Sequence, residues 1–471
     1  MANVQPPKKK LQILFHAMDG TGHLNACVGM AEALIKRGHS VLFLVNAAFK
    51  GQFSKYGFEE LTLERAKKEG EDKGKGKGGN GPSEEQVNPV KAFAKMILKS
   101  GMLNDKTPLE RVKEMAEKRA KGDDKDQEFI KSLYESTVDF NPQIKRAIEE
   151  RKPDLFILDH FLIPPCLPES GVPWLYLFSG NPIAIYGSKD LPPFTTGYPT
   201  DSDRALWDEF LSYKNSMGDS FHKYQQKLYE HFGYEATEED FPKKDGGIFP
   251  QCKYGYVYGY PKELDYQDLI PIPEKFIGMD AFCRETKPAE PFKLPEGFAK
   301  EGEKLIFFSL GSMGSVDVEL VKRVTSILSS KTPYKTIVSK GPLADEYELP
   351  ERCWGEGFLP QTQILPLVDL VITHGGNNTV TETFSFGKPQ IVLPLFGDQY
   401  DNAQRLTEKG FGRRLETYKF KDQELVDAVE ALINDQKLKE RLEAAAKRIA
   451  ADRSKEVACM KIEAVAEKYA K

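Results

Sequence analysis

The amino-acid sequence predicts an α/β protein made of two consecutive Rossmann-like halves that face each other across a cleft. Two observations favour this fold class. Short, wholly apolar runs of strand length alternate with segments of helical periodicity, and the alternation starts again near residue 305 after a proline-rich interval. Strands without polar residues are typically buried on both faces, as in a parallel sheet covered by helices on each side.

The first half is predicted to span residues 1–260. Its strand candidates are short apolar runs at 11–17, 41–45, 155–158, 174–178 and 254–260. The turn Asp19-Gly20-Thr21-Gly22 separates the first strand from a helix that is expected to end near Gly38. A stretch rich in glycine and lysine at about 68–86 interrupts the pattern, and its composition is typical of a mobile surface loop.

The second half is predicted to span residues 296–450, after an interdomain linker at 261–295 that contains several prolines. Its strand candidates lie at 305–308, 336–339, 370–373 and 391–393. Residues 451–471 are expected to form a C-terminal helix that can pack back on the first half.

Composition excludes several classes of protein. The 66 basic and 71 acidic residues give a net charge of −5, which provides no basic face for nucleic acid. No apolar run approaches the roughly 18–20 residues of a membrane span, and the first apolar run is too short for a secretory signal. The six cysteines form no CxxC pair, so we expect reduced thiols in a cytoplasmic protein without membrane partners.

The most informative segment follows the predicted strand 370–373. It reads His374-Gly375-Gly376-Asn377-Asn378-Thr379, and a helix is expected to begin at about Thr379 or Val380. Paired glycines permit close approach of a ligand to the backbone, and a helix start offers free N–H groups to a phosphate. Glu382, one turn further along, suits a ribose diol. Taken alone, the same pattern also fits an ordinary helix N-cap.

Several further blocks occur in order around this segment: Phe358-Leu359-Pro360-Gln361, Gly387-Lys388-Pro389 and Pro394-Leu395-Phe396-Gly397-Asp398-Gln399. Together they resemble the signature of family 1 UDP-sugar glycosyltransferases, in particular the soluble type of plants, bacteria and mites. The resemblance implies the two-domain GT-B architecture. It also implies an enzyme that transfers a hexose, with glucose expected, from a UDP-sugar to a small acceptor with inversion.

The resemblance assigns the donor site to Ser312, Phe358, Leu359, Gln361, His374, Gly376, Asn377, Asn378, Thr379, Glu382, Asp398 and Gln399. Phe358 stands where the family stacks a tryptophan on uracil, and Trp354 is a rival for that role. Gln361 is expected to contact the base or ribose, and Glu382 the ribose hydroxyls. The stretch between Gln361 and His374 is about two residues shorter than in plant members of the family.

The diphosphate and the sugar are assigned to different residues of that set. Ser312, His374, Asn378 and Thr379 are expected to bind the diphosphate. Asp398 and Gln399 are expected to bind the sugar hydroxyls.

The resemblance also places a catalytic base in the first half. Removing a proton from an acceptor hydroxyl requires a base, and histidine is the usual choice near neutral pH. His23, in the turn after the first strand, resembles the base of the family, and Asp159 matches its partner aspartate. His16 and His160 are nearby alternatives for the base, and Asp154 is a weaker alternative for the partner.

No metal is expected. No other cofactor is expected either, and UDP-glucose is counted as a co-substrate. Two Asp-x-Asp motifs have the spacing by which other glycosyltransferases hold a divalent cation: Asp124-Lys125-Asp126 and Asp201-Ser202-Asp203. Both lie in polar stretches, which indicates solvated surface rather than a metal site.

The acceptor remains open at this level. An aromatic-rich segment from Phe178 to Phe221 fits either an apolar acceptor pocket or ordinary core. The resemblance implies small lipophilic acceptors such as phenols or flavonoids, and a role in detoxification of foreign compounds.

Other functional classes are kept as alternatives. An NAD- or flavin-dependent oxidoreductase is favoured only by Gly20 and Gly22 after a strand, because Asn25 stands where that fingerprint needs a third glycine. A sugar-nucleotide epimerase or a non-catalytic sugar-nucleotide binder can share the same architecture.

Overall fold

The computed structural model describes residues 6–66, 94, 96–241, 249, 251–284 and 291–470, and the glycine- and lysine-rich stretch at about 68–86 lies outside them. The described chain forms two parallel sheets flanked by helices. This arrangement confirms the predicted α/β class with two halves.

The first sheet has seven parallel strands in the order β3-β2-β1-β4-β5-β6-β7. They are β1 Gln12–Ala17, β2 Ser40–Asn46, β3 Glu59–Leu63, β4 Leu155–Asp159, β5 Trp174–Phe178, β6 Tyr256–Gly259 and β7 Phe276–Met279. The helices of this domain are α1 Thr21–Lys36, α2 Pro108–Ala120, α3 Glu128–Arg151, α4 Cys166–Ser170, α5 Ile183–Tyr186, α6 Arg204–Ser216 and α7 Ser220–Phe232. Strand β1 separates β2 from β4, so the crevice for ligands opens at its carboxyl end.

The first domain extends further along the chain than the sequence predicted. Strand β7 lies inside the predicted linker 261–295, and Phe282 belongs to the hydrophobic core of the first domain. This strand has only four residues and stands at the sheet edge, so it carries no detectable periodicity. A Cβ at its Gly278 would lie 2.7 Å from the hydroxyl of Tyr258, which explains why glycine occupies this position.

The second sheet has six parallel strands in the order β10-β9-β8-β11-β12-β13. They are β8 Leu305–Ser309, β9 Lys335–Ser339, β10 Cys353–Glu356, β11 Leu370–Thr373, β12 Gln390–Val392 and β13 Gly412–Arg414. The helices are α8 Gly311–Gly314, α9 Val318–Lys331, α10 Gln361–Ile364, α11 Asn377–Ser385, α12 Gln399–Glu408, α13 Asp422–Ile433 and α14 Gln436–Ala451. Strand β8 occupies the position that β1 has in the first sheet.

The last helix, α15 Ser454–Lys468, packs against α1 and β7 of the first domain. Its Cys459 and Ile462 are part of the first domain's core. Glu463 binds Arg37 at 2.5 and 2.8 Å and His39 at 2.8 Å. The expectation that the C-terminal helix packs back on the first domain is therefore confirmed.

The chain passes between the domains twice, and one carboxylate binds residues at the second passage. Asp280, which follows β7, accepts hydrogen bonds from Arg448 at 2.7 Å and from Ser454 at 2.8 Å. Between them Arg453 has φ +47°, where α14 has ended and α15 has not yet begun.

Helix α12 forms much of the contact between the domains. Asp401 accepts backbone N–H groups of Thr195 at 2.8 Å and Gly197 at 3.0 Å. Asn402 accepts a hydrogen bond from the Asn181 amide at 2.8 Å. None of the helices in the described part of the chain combines the length and apolar composition needed to cross a bilayer.

Candidate active site

The carboxyl ends of the central strands in the two sheets face each other, and the predicted site residues of both domains meet there. The amide of Asn378 donates to the carbonyl of Gly22 at 2.7 Å, beside His23. The backbone N–H of Asn181 donates to Asp398 Oδ2 at 3.0 Å. The two halves of the predicted site are thus in direct contact.

His23 lies in the first turn of α1, next to the end of β4. Its Nδ1 is 2.9 Å from Asp159 Oδ1 and 2.9 Å from Ser179 Oγ. The His23 side chain is 29% exposed, whereas Asp159 is only 3% exposed. A Cβ at Gly20 would lie 3.0 Å from His23 Cδ2, so the turn leaves room for the ring only with a small residue there. Because an ionised carboxylate accepts but cannot donate, Nδ1 carries the proton and Nε2 is free to act as a base.

The electrostatic surroundings of His23 favour its charged form. Burial opposes the charge, but the carboxylate of Asp159, its hydrogen bond and the more distant Asp398 outweigh burial and raise the pKa of His23. An imidazolium at His23 would therefore be stabilised in place. The second oxygen of Asp159 is buried and has no hydrogen-bond partner within the described part of the chain.

The alternative bases are placed less suitably. His16 is buried with Nδ1 on the carbonyl of Leu44, and burial lowers its pKa. Burial also lowers the pKa of His160 to about 3. Asp154 binds Lys9 and the backbone of Gln12, at the opposite end of β4 from His23. Of the three histidines, His23 is the one paired with a carboxylate.

Across the cleft, His374 follows β11 and is enclosed by two glycines. A Cβ at Gly311 would lie 2.7 Å from its ring, and one at Gly376 would lie 2.5 Å away. Burial lowers the pKa of His374 to about 4, so the ring is neutral near pH 7. Ser312 lies in α8 directly after Gly311, at the same edge of the sheet.

Helix α11 starts at Asn377, two to three residues earlier than predicted, with Gly376 as its N-cap. No side chain caps this end. The N–H groups of its first turn are therefore available to an anion at the positive end of the helix dipole. The side chains of Asn377 and Asn378 reach the first domain instead, with Asn377 bound to the carbonyl of Gly259 at 3.0 Å.

Gln361 and Glu382, assigned to the base and ribose, are bonded to each other, and Thr379, assigned to the diphosphate, lies beside them. Gln361 donates to Glu382 at 2.6 Å, and the Thr379 hydroxyl lies 3.5 Å from the Gln361 carbonyl oxygen. Burial raises the pKa of Glu382, although Arg284 and Gln361 act in the opposite direction. The structure therefore brings these three predicted residues together on adjoining elements.

The two aromatic candidates for base stacking differ in exposure. Phe358 is 63% exposed, whereas Trp354 packs on Phe292 and Phe298 with ring centroids 6.1 and 6.2 Å apart. Leu359 packs against the same apolar cluster as Trp354. Phe358 is therefore the ring that remains accessible for stacking.

Asp398 and Gln399 stand at the start of α12 but point differently. Asp398 Oδ2 accepts hydrogen bonds from Asn181 N and, at 3.3 Å, from Asn402. Burial raises the pKa of Asp398 to about 6. The side-chain Oε1 of Gln399 accepts hydrogen bonds from the backbone N–H groups of Leu395 at 2.9 Å and Phe396 at 3.2 Å. This side chain therefore stabilises the loop that precedes α12.

An aromatic cluster borders His23 in the first domain. Phe161 lies 6.4 Å from the His23 ring and 5.2 Å from both Phe221 and Phe249. Phe178 lies 4.6 Å from Phe249. The aromatic-rich segment thus contributes both buried core and a wall beside the predicted base. Sequence reasoning missed Phe161, Phe249 and the contact of Ser179 with His23, because these depend on contacts between distant segments.

The aspartates of the two Asp-x-Asp motifs whose side chains the structure describes lie on the surface. Asp203 caps α6 by accepting the N–H of Ala205 at 2.9 Å, and Asp201 and Asp124 are exposed. Among the residues that the structure describes, no three His, Cys, Asp or Glu side chains come together as metal ligands would.

Comparison with known structures identifies the fold. The glycosyltransferase of kitacinnamycin superposes with a TM-score of 0.63 at 18% identity, covering 98% of this chain and 99% of that one. The glycosyltransferase SnogD from Streptomyces nogalater gives 0.59 at 17% identity, covering 97% and 100%. Both are glycosyltransferases, and the likeness confirms the predicted GT-B fold.

Sequence comparison identifies relatives over part of the chain. UDP-glucuronosyltransferase 1A9 of Homo sapiens is 32% identical over 190 residues, which cover 40% of this chain and 34% of that protein. UDP-glucuronosyltransferase 2B14 of Oryctolagus cuniculus is 31% identical over 177 residues, which cover 35% and 31%. The chain therefore spans about a third of the length of the curated relatives it matches.

The family model described as UDP-glucoronosyl and UDP-glucosyl transferase matches residues 253–456. This range contains every residue predicted for the donor site, from Ser312 to Gln399. Residues 253–456 are therefore similar to the family of UDP-glucuronosyl and UDP-glucosyl transferases, within a chain that has the GT-B fold.

Proposed function

We propose that this protein is an inverting glycosyltransferase that moves a hexose, glucose in the first instance, from a UDP-sugar to a hydroxyl of a small lipophilic acceptor. One observation carries the proposal. The His23–Asp159 pair, with 2.9 Å between Nδ1 and Oδ1, lies across the cleft from the N-terminus of α11 at Asn377. That N-terminus has no side-chain cap and can bind a phosphate. A base and an anion site on opposite walls are what a displacement at an anomeric carbon requires.

In the proposed reaction, His23 Nε2 takes the proton of the acceptor hydroxyl. The acceptor oxygen forms a bond to the anomeric carbon while the bond from that carbon to the UDP oxygen breaks. UDP leaves with the electron pair of the broken bond, and the proton stays on His23 until solvent removes it. One displacement inverts the anomeric carbon, so an α-linked donor gives a β-glycoside.

The donor side is proposed to stabilise the leaving diphosphate without a metal ion. The free N–H groups of α11 and its dipole favour negative charge. His374 is neutral near pH 7, so it contributes as a hydrogen-bond donor rather than as a cation. Glu382 and Gln361 are proposed to bind ribose and base, and Phe358 to stack on uracil.

The choice of glucose over glucuronate rests on charge at Asp398. This carboxyl has a pKa of about 6 and is mainly ionised above that pH, where it would repel a sugar carboxylate. Arg405 is not placed to neutralise a sugar carboxylate, because its guanidinium donates to the carbonyls of Leu264 and Asp265. Arg111 lies near the loop but donates to the carbonyls of Lys106, Asn104 and Leu395.

The acceptor is proposed to be a flat, hydroxylated, apolar molecule such as a phenol or flavonoid. Phe161, Phe221 and Phe249 supply an aromatic wall beside His23, where such a ring can stack. A role in detoxification in the cytoplasm belongs to the same proposal.

The test is a competition between donors. Purified protein is incubated with equal UDP-glucose and UDP-glucuronate and with a phenolic acceptor, and the product is analysed by mass spectrometry and proton NMR. We expect a gain of one hexose and a β-anomeric signal. A product that carries mainly hexuronate would overturn the donor assignment, and an α-anomer would overturn the single displacement. Absence of any transfer over a panel of phenols, flavonoids and alcohols would reject the proposed activity.

A further inference from the structure

Two adjacent asparagines at the start of α11 bind backbone carbonyls of the other domain. Asn377 donates to Gly259 at the end of β6, at 3.0 Å. Asn378 donates to Gly22 at 2.7 Å. Gly22 immediately precedes His23. The helix with the proposed diphosphate site is therefore bonded directly to the turn with the proposed base.

The amide of Asn378 has hydrogen-bonding capacity left after this contact. An asparagine side chain offers two N–H donors and one carbonyl acceptor. One N–H is used by Gly22, and the Oδ1 atom is buried without a partner among the described residues. A buried carbonyl oxygen of this kind is stabilised by a donor hydrogen bond. Asn378 can thus bind Gly22 and a sugar-nucleotide in the cleft at the same time.

The ring of His23 is fixed in rotation by Asp159 and Ser179, both in the first domain. These contacts set the direction of Nε2 but not its distance from a donor held by the second domain. The hydrogen bond from Asn378 to Gly22 links the position of His23 to that of the sugar donor, because it joins α11 to the turn that contains His23. Its neighbour Asn377 bridges the same helix to Gly259 instead.

We propose that Asn378 is a positioning residue for glycosyl transfer, and that its bond to the Gly22 carbonyl sets the approach of His23 to the donor. The inference rests on the proposed function. Asn378 moves no proton, and it acts through the placement of His23. Loss of the Asn378 side chain should therefore lower kcat most for acceptors whose hydroxyl must be deprotonated by the base.

The experiment compares two acceptors of similar shape, 4-nitrophenol and 4-nitrobenzyl alcohol. The phenol ionises near neutral pH and needs little help from a base, whereas the alcohol needs full proton removal. We expect Asn378→Ala to lower kcat for the alcohol about tenfold more than for the phenol, since small misplacements can cost up to ~10²-fold. The Kd for UDP, measured by calorimetry, should change less than about threefold, because the backbone N–H groups of α11 remain.

Asn377→Ala is the matched control, because it removes an equivalent interdomain hydrogen bond that does not reach the His23 turn. It should lower kcat for both acceptors by the same factor. Asn378→Ser, whose hydroxyl is too short to reach Gly22, replaces Asn378→Ala if thermal melting shows that the alanine variant is unfolded.

Two results would overturn the inference while transfer by the parent protein stands. One is an equal loss of kcat on both acceptors. The other is a weakening of UDP binding that matches the whole loss of kcat/KM, which would make Asn378 a donor ligand only. If the parent protein transfers no sugar to either acceptor or to the wider panel, the proposed function fails and this inference fails with it.

Discussion

His23 and Asp159 are 136 positions apart in the chain, yet their side chains meet at 2.9 Å between Nδ1 and Oδ1. The parallel pairing of β1 with β4 explains the contact, because it places Ala17 opposite Asp159 at the carboxyl edge of the sheet. His23 then enters from the first turn of α1, which follows β1. The pair is thus a product of strand order rather than of local sequence.

Replacing the base should separate binding from turnover. We expect His23→Ala to lower kcat by roughly 10²–10⁴, the usual contribution of a general base. The Kd for UDP should stay within about threefold, since the donor contacts lie in the other domain. Steady-state kinetics with an alkyl alcohol acceptor and calorimetry with UDP measure the two effects. Near-native turnover of that alcohol by the variant would exclude His23 as the base.

Replacing its partner should shift the pH dependence of turnover. Asp159 raises the pKa of His23, and the base works only when deprotonated, so activity in the parent protein falls as the pH drops through that raised value. Asp159→Asn removes the charge but keeps the shape. We therefore expect a lower kcat and an ascending limb of the kcat profile displaced to lower pH. An ascending limb at an unchanged pH would show that a group other than His23 controls the pH dependence of kcat.

Stacking on Phe358 should be measurable with UDP alone. Loss of an aromatic platform for a base costs about 1–3 kcal/mol, which is roughly a five- to 150-fold weakening of Kd. Phe358→Ala should show this loss in calorimetry with little change in thermal stability, since the ring is 63% exposed. Phe358→Trp should restore binding. Unchanged UDP affinity in the alanine variant would mean that uracil lies elsewhere.

The packing of α15 can be tested through Glu463. Removing one partner of a buried ion pair costs about 3 kcal/mol or more, so Glu463→Gln should lower the free energy of unfolding by that amount. Glu467→Gln, which breaks an exposed pair with Lys8, should change it by less than about 1 kcal/mol. Denaturant unfolding monitored by circular dichroism compares the two variants. Equal effects would show that α15 is not held by the Glu463 pair.

The same residue predicts a pH dependence of stability. Burial opposes ionisation, but Arg37 and His39 outweigh it and lower the pKa of Glu463 below 4.5. A carboxyl with a depressed pKa stabilises the fold above its unfolded pKa and loses that effect as the pH falls through the folded value. The difference between the parent protein and Glu463→Gln should therefore shrink on acidification below pH 4.5. A difference that stays constant down to pH 2 would contradict the assignment.

Chelation tests the metal-free expectation. Activity should persist in EDTA, since helix N–H groups and a neutral His374 are proposed to stabilise the diphosphate. The control is a titration with Mg²⁺ or Mn²⁺ after dialysis. Loss of activity in EDTA that either cation restores would contradict the proposal.

Much of the fold was predictable because its central strands are mainly apolar. Strand β5 has the predicted bounds 174–178, and β11 has the predicted bounds 370–373. Edge strands were missed for a physical reason. Strand β13 has only three residues, with Arg413 exposed, so it presents no apolar run to recognise.

The site was predictable where a residue's place on a strand end or helix start decides its position. His23 and Glu382 follow such signals in the sequence, and the structure places them at the cleft. Orientation was not predictable. Gln399 turns back to its own loop, and Asn377 reaches Gly259, because both side chains satisfy backbone groups that only the folded chain brings near.

The carboxylate of Asp280 has a mechanical consequence. It follows β7, just before the chain leaves the first domain, and it binds Arg448 and Ser454, which flank the return. The outgoing and returning segments are therefore held side by side by hydrogen bonds, in addition to the contacts that α12 and α11 make with the first domain. Two chain crossings joined in this way favour rotation of one domain about that joint over sliding of one domain along the other. Opening of the cleft should accordingly rotate α11 away from His23 about this joint. Closure should then return α11 and His23 to the same relative position.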